Sequence, residues 1–185
     1  TGAPQERSPG QLFWRQLRRS PLAVAGGGLL VMLYGMALLA PFLAPYAESD
    51  IDRQRFFHPP TPLHFRDPEG LWHLQPFVYG SISGIDQEYS IDRMQRYPLR
   101  LFVKGARYRL LGLLPSDRHL FGVESPGRIY IMGADDTGRD VWTRLLFGSQ
   151  VSLTVGVVGI LISFTLGLLL GGVSGYYGGW VDVCI

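Results

Sequence analysis

The sequence predicts an α-helical membrane protein in which two transmembrane helices flank a small extracytoplasmic segment of β-rich (α+β) character. Two long stretches lack charged residues, residues 22–43 and the region between Arg144 and Asp182, and the stretch between them is polar. The chain is 46% hydrophobic and 17% charged, compared with about 25% charged in an ordinary soluble domain. We divide it into a cytoplasmic amino-terminal arm (1–21), a first transmembrane helix (22–43), a β-rich extracytoplasmic segment (44–135), an amphipathic surface helix (136–150), a second transmembrane helix (151–175) and a cytoplasmic loop (176–185).

The first apolar stretch has the length of a membrane span. A helix over residues 22–43 is about 33 Å long, and the hydrocarbon core of a bilayer is about 30 Å thick. A cleaved signal peptide is the main alternative, because basic residues precede the stretch and the sequence APYA at 44–47 resembles a cleavage site. The apolar run is longer than such signals carry, so we favour the membrane span.

The charges on either side of this span predict its orientation. Four arginines precede it (Arg7, Arg15, Arg18 and Arg19), and acidic residues follow it closely (Glu48, Asp50 and Asp52). Because basic residues are retained on the cytoplasmic side, we expect a cytoplasmic amino terminus and a second span that returns inward. The formal net charge of +2 is too small to indicate a nucleic-acid partner.

The middle segment contains short strand-like runs. It opens with FFHPPTPLHF, where consecutive prolines exclude a helix. The runs LWHLQPFVYG and GRIYIMG are typical of strands, and we expect YPLRLFVKG and ARYRLLGLL to pair as a hairpin across Lys104 and Gly105. Together these runs predict a small β-rich domain.

The sequence contains no recognisable metal or catalytic constellation. The four histidines (His58, His64, His73 and His119) are scattered, and the single cysteine, Cys184, follows the second span. Neither a metal-ligand spacing nor an intrachain disulfide is therefore expected, and we expect no cofactor. A membrane-anchored hydrolase that uses Asp92, Asp117 or His119 is a minor alternative.

A run of charged and small residues precedes the second apolar stretch. In MGADDTGRDVWTRLLFGSQVSL, Thr137 and Asp140 have capping-box spacing, so we expect a helix to begin near Gly138 with both side chains bound to its free amides. One face of this helix is apolar (Val141, Trp142, Leu145 and Leu146). Asp140 and Arg144 are spaced to pair. We expect the helix to lie on the outer membrane surface and to end at Gly148.

The aspartates of this run, Asp135, Asp136 and Asp140, also invite a metal or acid–base interpretation. Their spacing does not match a calcium loop, and no histidine or nearby glutamate completes a known constellation. We assign them a structural capping role, with contact to another subunit as the alternative.

A resemblance to a known family extends over residues 132–182. This stretch resembles the start of the permease core in dipeptide/oligopeptide ABC importers, specifically the C-type inner-membrane subunit, in four runs: D-x-x-G-R-D at 135–140, R-L-L-F-G at 144–148, V-S-L at 151–153 and G-Y-Y-G-G-W-V-D at 175–182. The family-motif residues that precede the second span are Asp135, Asp136, Thr137, Gly138, Arg139, Asp140, Arg144 and Gly148. The opening FWRQLRRSPLAVAGGGLLV is similar to that family too, and the long middle segment resembles a longer-loop subgroup.

The resemblance implies a multi-pass subunit of a bacterial or archaeal cytoplasmic membrane that passes peptides inward. The partners it implies are a second homologous permease subunit, two cytoplasmic ATPase subunits that bind the ATP, an extracytoplasmic substrate-binding protein and membrane lipid. Family members have about six helices and an ATPase-docking loop, so we expect this chain to be an amino-terminal portion of a permease. Such a subunit is not an enzyme, and the sequence has neither a phosphate-binding loop nor a G-x-S-x-G nucleophile turn.

Small residues recur at every fourth position of the second span (Gly159, Ser163, Gly167, Gly171, Gly175 and Gly179). Glycine lowers helix propensity in water by about 1 kcal/mol relative to alanine. In lipid, however, helix association depends on close backbone approach, which small residues permit. A spacing of four drifts by about 40° per step around the helix, so we expect this stripe to pack against several neighbouring helices.

A two-span sensor or scaffold with an extracytoplasmic ligand-binding domain would share the predicted topology. It would have an ordinary leucine-rich second span and a cytoplasmic signalling domain, and neither is seen in the sequence. We therefore prefer the permease. Whether peptide, nickel or sugar is carried, and which residues line the pathway, is not indicated by the sequence.

Overall fold

Three helices open the structure, a computed structural model that describes residues 9–83 and 89–180. They are α1 (Pro9–Arg19), α2 (Pro21–Leu38) and α3 (Ala40–Leu43). Ser20 caps α2, because its hydroxyl accepts a hydrogen bond from the Ala23 N–H, and Pro21 fits the first turn, where no amide donor is needed. The first apolar stretch is therefore helical as predicted, but it is broken at Leu39. Pro41 accounts for the break, because proline has no N–H and its ring clashes with the carbonyl four residues earlier.

Among the described residues, five strands follow α3 and form two antiparallel sheets. They are β1 (His64–Arg66), β2 (Trp72–Ser83), β3 (Tyr89–Pro98), β4 (Arg100–Leu110) and β5 (Leu114–Gly122). The first sheet has the order β1-β2-β3, and β4 and β5 form a separate hairpin. The predicted β-rich character of the middle segment is confirmed, and LWHLQPFVYG forms most of β2. The proline-rich stretch before β1 is not helical, as predicted.

The predicted hairpin turn at Lys104 and Gly105 is wrong. Strand β4 runs through both residues with a bulge between Lys104 and Tyr108, and the turn to β5 lies at residues 111–113. Glycine is needed at position 105 for another reason. A Cβ there would lie 2.6 Å from Cδ2 of His119, so Gly105 makes room for the imidazole on the facing strand.

The predicted strand GRIYIMG is also wrong. Ile129 and Tyr130 are buried, but their backbone N–H groups bind side chains and not the backbone of a neighbouring strand. The Ile129 N–H donates to the Tyr46 hydroxyl at 2.7 Å, and the Tyr130 N–H donates to the Thr61 hydroxyl at 3.1 Å. With these buried amides satisfied, the segment needs no sheet partner.

One long helix, α4, covers Val141–Tyr177 and ends at Gly178, which has a φ of 55°. The expected separate surface helix over 136–150 is wrong, because α4 continues through Gly148 without a break. The expected start near Gly138 is three residues early. The expected cytoplasmic loop lies partly outside the described residues, as do Asp182 and Cys184.

The helices α2 and α4 are both long and apolar enough to cross a membrane. They are joined near α3, where Ala40, Ala44 and Leu146 form a buried cluster. The Trp142 indole N–H donates to the Leu43 carbonyl at 3.4 Å beside this cluster. From residue 154 to residue 173, every residue of α4 is exposed. Most of α4 is therefore left uncovered by the rest of the described chain.

Candidate functional site

The aspartate-rich motif before α4 folds as a tight turn around the Asp135 carboxylate. Asp135 Oδ1 accepts hydrogen bonds from the Thr137 N–H (2.8 Å), the Thr137 hydroxyl (2.7 Å) and the Arg139 N–H (2.9 Å). Its Oδ2 pairs with the Arg144 guanidinium. The expected pairing of Arg144 with Asp140 and the expected capping role of Thr137 are therefore both wrong, because both side chains bind Asp135.

These hydrogen bonds lower the pKa of Asp135. Burial alone would raise it, but the bonds from Thr137, Arg139 and Arg144 outweigh burial and bring the pKa to about 2. These hydrogen bonds favour the ionised form of the Asp135 carboxylate. The contribution of Asp135 to the stability of the fold is therefore complete above the pKa of an unfolded aspartate, about 3.9, and is lost as the pH falls through about 2.

We expect Asp135→Asn to lower the free energy of unfolding at neutral pH, because the amide cannot replace the charged acceptor. The difference from the wild type should shrink as the pH falls from about 4 to about 2, where the wild-type carboxylate is itself protonated. Chemical unfolding followed by circular dichroism in detergent measures it. Asp136→Asn is the matched control, since Asp136 is exposed beside the turn. A deficit that stayed constant over this pH range would contradict the charge-based role.

Asp140 is the N-cap of α4. Its Oδ2 accepts hydrogen bonds from the Thr143 N–H (2.8 Å) and the Thr143 hydroxyl (2.6 Å). A capping role for Asp140 agrees with the sequence interpretation, although the first turn begins later than expected. Burial raises the pKa of Asp140, and the bonds from Thr143 offset this only in part. Asp140 Oδ1 and Arg139 Nε are buried without a hydrogen-bond partner among the described residues.

The turn is held against the segment that follows α3 by backbone hydrogen bonds. The Asp52 N–H donates to the Gly138 carbonyl at 3.1 Å, and the Phe57 N–H donates to the Asp135 carbonyl at 2.9 Å. Gly138 has a φ of 78°, and a Cβ there would lie 2.0 Å from the Asp52 carbonyl oxygen. Glycine is therefore required at position 138 by the backbone conformation and by the close approach.

A cluster of charged and aromatic side chains, which sequence reasoning missed, lies beside this contact. The Arg128 guanidinium binds the Asp50 carboxylate at 2.8 Å, and its Nε lies 3.3 Å from Asp52 Oδ2. Its Cζ lies 5.0 Å from the centre of the Tyr46 ring. The Tyr130 hydroxyl donates to Asp52 Oδ2 at 3.4 Å. No local pattern could reveal this cluster, because its two halves are about 80 residues apart in the chain.

The ionisation of this cluster is fixed by burial and pairing. Burial raises the pKa of Tyr46, and it raises the pKa of Tyr130 to about 12. Burial alone would lower the pKa of Arg128, but its pairing with Asp50 raises it instead. At neutral pH both tyrosines are therefore neutral donors and the arginine is charged. The cluster acts as a fixed brace between residues 46–52 and 128–130.

A cavity of about 470 Å³ lies between this brace and the β4–β5 hairpin. Its titratable lining residues are Tyr46, Asp50, Lys104, His119 and Arg128. His119 is buried, and its ring nitrogens lie 2.5 Å from the Ala44 carbonyl and 3.1 Å from the Ala106 carbonyl. The contact with Ala44 links the hairpin to the end of α3, so His119 has a structural role.

The residues considered for a hydrolase have structural partners. Asp92 Oδ1 accepts a hydrogen bond from the Met94 N–H at 3.0 Å, and Asp117 pairs with Lys104 at 3.7 Å. Across residues 9–83 and 89–180, no group of three or more histidine, cysteine, aspartate or glutamate side chains is placed to hold a metal ion. Cys184 falls outside these ranges.

The small-residue stripe faces open space in this chain. A Cβ built on Gly159, Gly167, Gly171 or Gly175 would have no neighbouring atom within 4 Å, and Ser163 is exposed on the same helix. Gly179 lies beyond the end of α4 at Tyr177, so the last member of the predicted stripe is not part of this helix. The expected packing role of the stripe therefore stays a prediction about a neighbour outside the described chain.

Comparison with known proteins gives consistent matches. Residues 8–60 match the family model of the N-terminal TM domain of oligopeptide transport permease C. The dipeptide transport system permease protein of Bacillus subtilis is 28% identical over 169 residues, which is 91% of this chain and 32% of that protein. The resemblance to the permeases of peptide ABC importers is confirmed.

Other permease relatives match over similar or shorter stretches. The glutathione transport system permease protein of Pectobacterium atrosepticum is 24% identical over 176 residues, 95% of this chain and 37% of that protein. The dipeptide transport system permease protein of Alkalihalophilus pseudofirmus is 38% identical over 71 residues, 38% of this chain and 22% of that protein.

The chain spans about a third of the length of the curated permeases that it matches over most of its own sequence. No solved structure gives a significant match. The permease relatives and the two long apolar helices together indicate an inner-membrane protein.

Proposed function

We propose that this chain is part of the permease of a peptide-importing ABC transporter, to which it contributes two membrane-spanning helices and the extracytoplasmic domain between them. The observation that carries the proposal is the similarity to dipeptide and glutathione transport permeases over more than nine-tenths of the chain. Short peptides are the substrate class common to those relatives, and we assign the same class to this chain.

In this proposal the chain shapes the pathway and other subunits supply the energy. A second homologous permease subunit completes the pathway, and an extracytoplasmic binding protein delivers the peptide. Two cytoplasmic ATPase subunits bind and hydrolyse ATP. The chain itself is not an enzyme, and its sequence lacks the phosphate-binding loop that an ATPase requires.

The joint between the helices supports a structural role of this kind. Leu146 is 1% exposed and packs against Ala40 and Ala44, both 0% exposed, at the start of α4. Alanines let the two backbones approach closely. The backbone hydrogen bonds of the Asp135 turn and the ion pair of the Arg128 brace hold the segment that follows α3. The two helices are therefore fixed to each other near α3, while the small-residue stripe of α4 stays free to contact neighbouring helices.

The proposed topology predicts opposite labelling at two engineered cysteines. In a Cys184→Ser background, Met94→Cys should react with a membrane-impermeant thiol reagent in intact cells, because Met94 is 95% exposed on the extracytoplasmic domain. Gln16→Cys, on the arginine-rich arm, should react only after the cells are opened. Labelling of Gln16→Cys with protection of Met94→Cys would show the inverse orientation.

Purification of the tagged chain from native membranes tests the proposed function. We expect a homologous permease and two ATPase subunits to co-purify in mild detergent. A two-span sensor or scaffold would co-purify with neither the permease nor the ATPase subunits. Recovery of the chain with signalling proteins and without an ATPase would therefore refute the transport proposal.

A further inference from the structure

The β4–β5 hairpin ends in an exposed apolar tip. The sequence LLGLL forms its turn, and Leu111, Leu113 and Leu114 are 55%, 81% and 62% exposed. Leu111 and Gly112 both adopt positive φ, 53° and 71°, in the turn, and the three exposed leucines lie at its surface. A contiguous group of exposed apolar side chains marks a contact site, whereas single exposed leucines would not.

Basic side chains surround this tip. The hairpin carries five basic residues (Arg100, Lys104, Arg107, Arg109 and Arg118) and one acidic residue, Asp117. Arg100 pairs with Glu124 and Lys104 pairs with Asp117, while the Arg118 guanidinium donates to the Phe102 carbonyl. Arg107 and Arg109 are exposed and make no ion pair within the part of the chain that the structure describes. The uncompensated positive charge is thus concentrated next to the leucines.

The hairpin is anchored where the first apolar helix ends. Phe102 packs against Phe42 of α3, with ring centroids 6.1 Å apart, and His119 contacts the Ala44 carbonyl. From His119 to Leu114 the strand advances by about 17 Å. The bulge on β4 lies in the same stretch, and bulges bend strands. The tip therefore lies no further than on the order of 20 Å from the point at which the first span would leave the bilayer.

We propose that the hairpin tip inserts its leucines into the outer leaflet of the membrane, with Arg107 and Arg109 at anionic lipid headgroups. An apolar end with a basic flank is the composition of interfacial membrane-binding segments. Arginine stems lie along apolar surface while the charged heads stay at headgroup depth. The occupant is a lipid surface, because in the proposed topology the bilayer surface lies beside the end of α3, within reach of the tip, and the headgroup charge complements the arginines. The inference rests on the proposed topology and is independent of the transported substrate.

Site-directed spin labelling of the full chain tests this proposal. A nitroxide is attached at Leu113→Cys in a Cys184→Ser background, in phosphatidylcholine vesicles that contain phosphatidylglycerol. Collisions with oxygen, which concentrates in lipid, are compared with collisions with a water-soluble nickel complex. Two reference labels are used: Met94→Cys, exposed on the three-stranded sheet, and Leu161→Cys, exposed on α4.

We expect the Leu113 label to collide rarely with the nickel complex and often with oxygen, as the Leu161 label does. The Met94 label should collide often with the nickel complex and rarely with oxygen. Removing phosphatidylglycerol, or reversing charge with Arg107→Glu and Arg109→Glu, should shift the Leu113 label towards the Met94 values. A Leu113 label that is open to nickel, or that is shielded from both reagents by protein, would overturn the proposal. If the Leu161 label were also open to nickel, the proposed topology itself would fail.

Discussion

Gly138→Ala is expected to disrupt the joint between the two apolar helices. The new Cβ would lie 2.0 Å from the Asp52 carbonyl oxygen, and alanine would have to adopt a φ of 78°. A non-glycine residue in that conformation costs about 1–3 kcal/mol, before the backbone clash is added. We therefore expect a loss on the order of 3 kcal/mol in the free energy of unfolding, measured by chemical unfolding of the purified chain in detergent.

Gly148→Ala provides the matched control for this loss. Gly148 lies ten residues further along, inside α4, and a Cβ there would have no neighbour within 4 Å. Alanine is favoured over glycine in a helix by about 1 kcal/mol, so this variant should be as stable as the wild type or more so. If Gly138→Ala unfolded like Gly148→Ala, the turn would not be the support that we describe.

Gly167→Leu and Gly171→Leu are expected to weaken assembly with the partner permease while leaving this chain folded. Neither glycine has a neighbour within 4 Å of its added Cβ, and leucine is a better helix former than glycine. Any defect must therefore arise where another helix approaches the stripe. We expect co-purification with the partner permease to fall on the order of tenfold, which corresponds to about 1.4 kcal/mol.

Leu169→Ile is the control for these two variants. Leu169 is 59% exposed on α4 between the two glycines, and the substitution keeps the helix apolar and its volume unchanged. It should assemble normally. If the leucine variants at 167 and 171 assembled as well as Leu169→Ile, the stripe would have no packing role, and a simple anchoring function for α4 would be favoured.

The helices and the β-rich domain could be predicted because they depend on local composition. Charge-free runs mark α2 and α4, and alternating or β-branched runs mark β2. The position of the hairpin turn could not be predicted in this way. Both Gly105 and Gly112 are acceptable turn residues, and the choice depends on His119, which requires the space beside Gly105.

The details of the Asp135 turn depend on contacts that helical spacing does not reveal. Asp140 and Arg144 have ideal spacing for an ion pair on one helix. The turn before α4, however, places the Asp135 carboxylate against Arg144, and Arg144 pairs with Asp135. Thr143 could have been read as the partner of Asp140 at the helix start, since the two lie three residues apart. The Arg128 brace had no sequence signal, because its members come from distant parts of the chain.

The central claim, that this chain serves peptide import, is tested most directly by uptake of a radiolabelled dipeptide into cells of the organism that encodes it. We compare the wild type, a strain in which the coding sequence is deleted, and the deletion strain with the coding sequence restored. ATP-dependent uptake should be lost on deletion and regained on restoration, while uptake of a labelled free amino acid stays unchanged. Dipeptide uptake at the wild-type rate in the deletion strain would contradict the account.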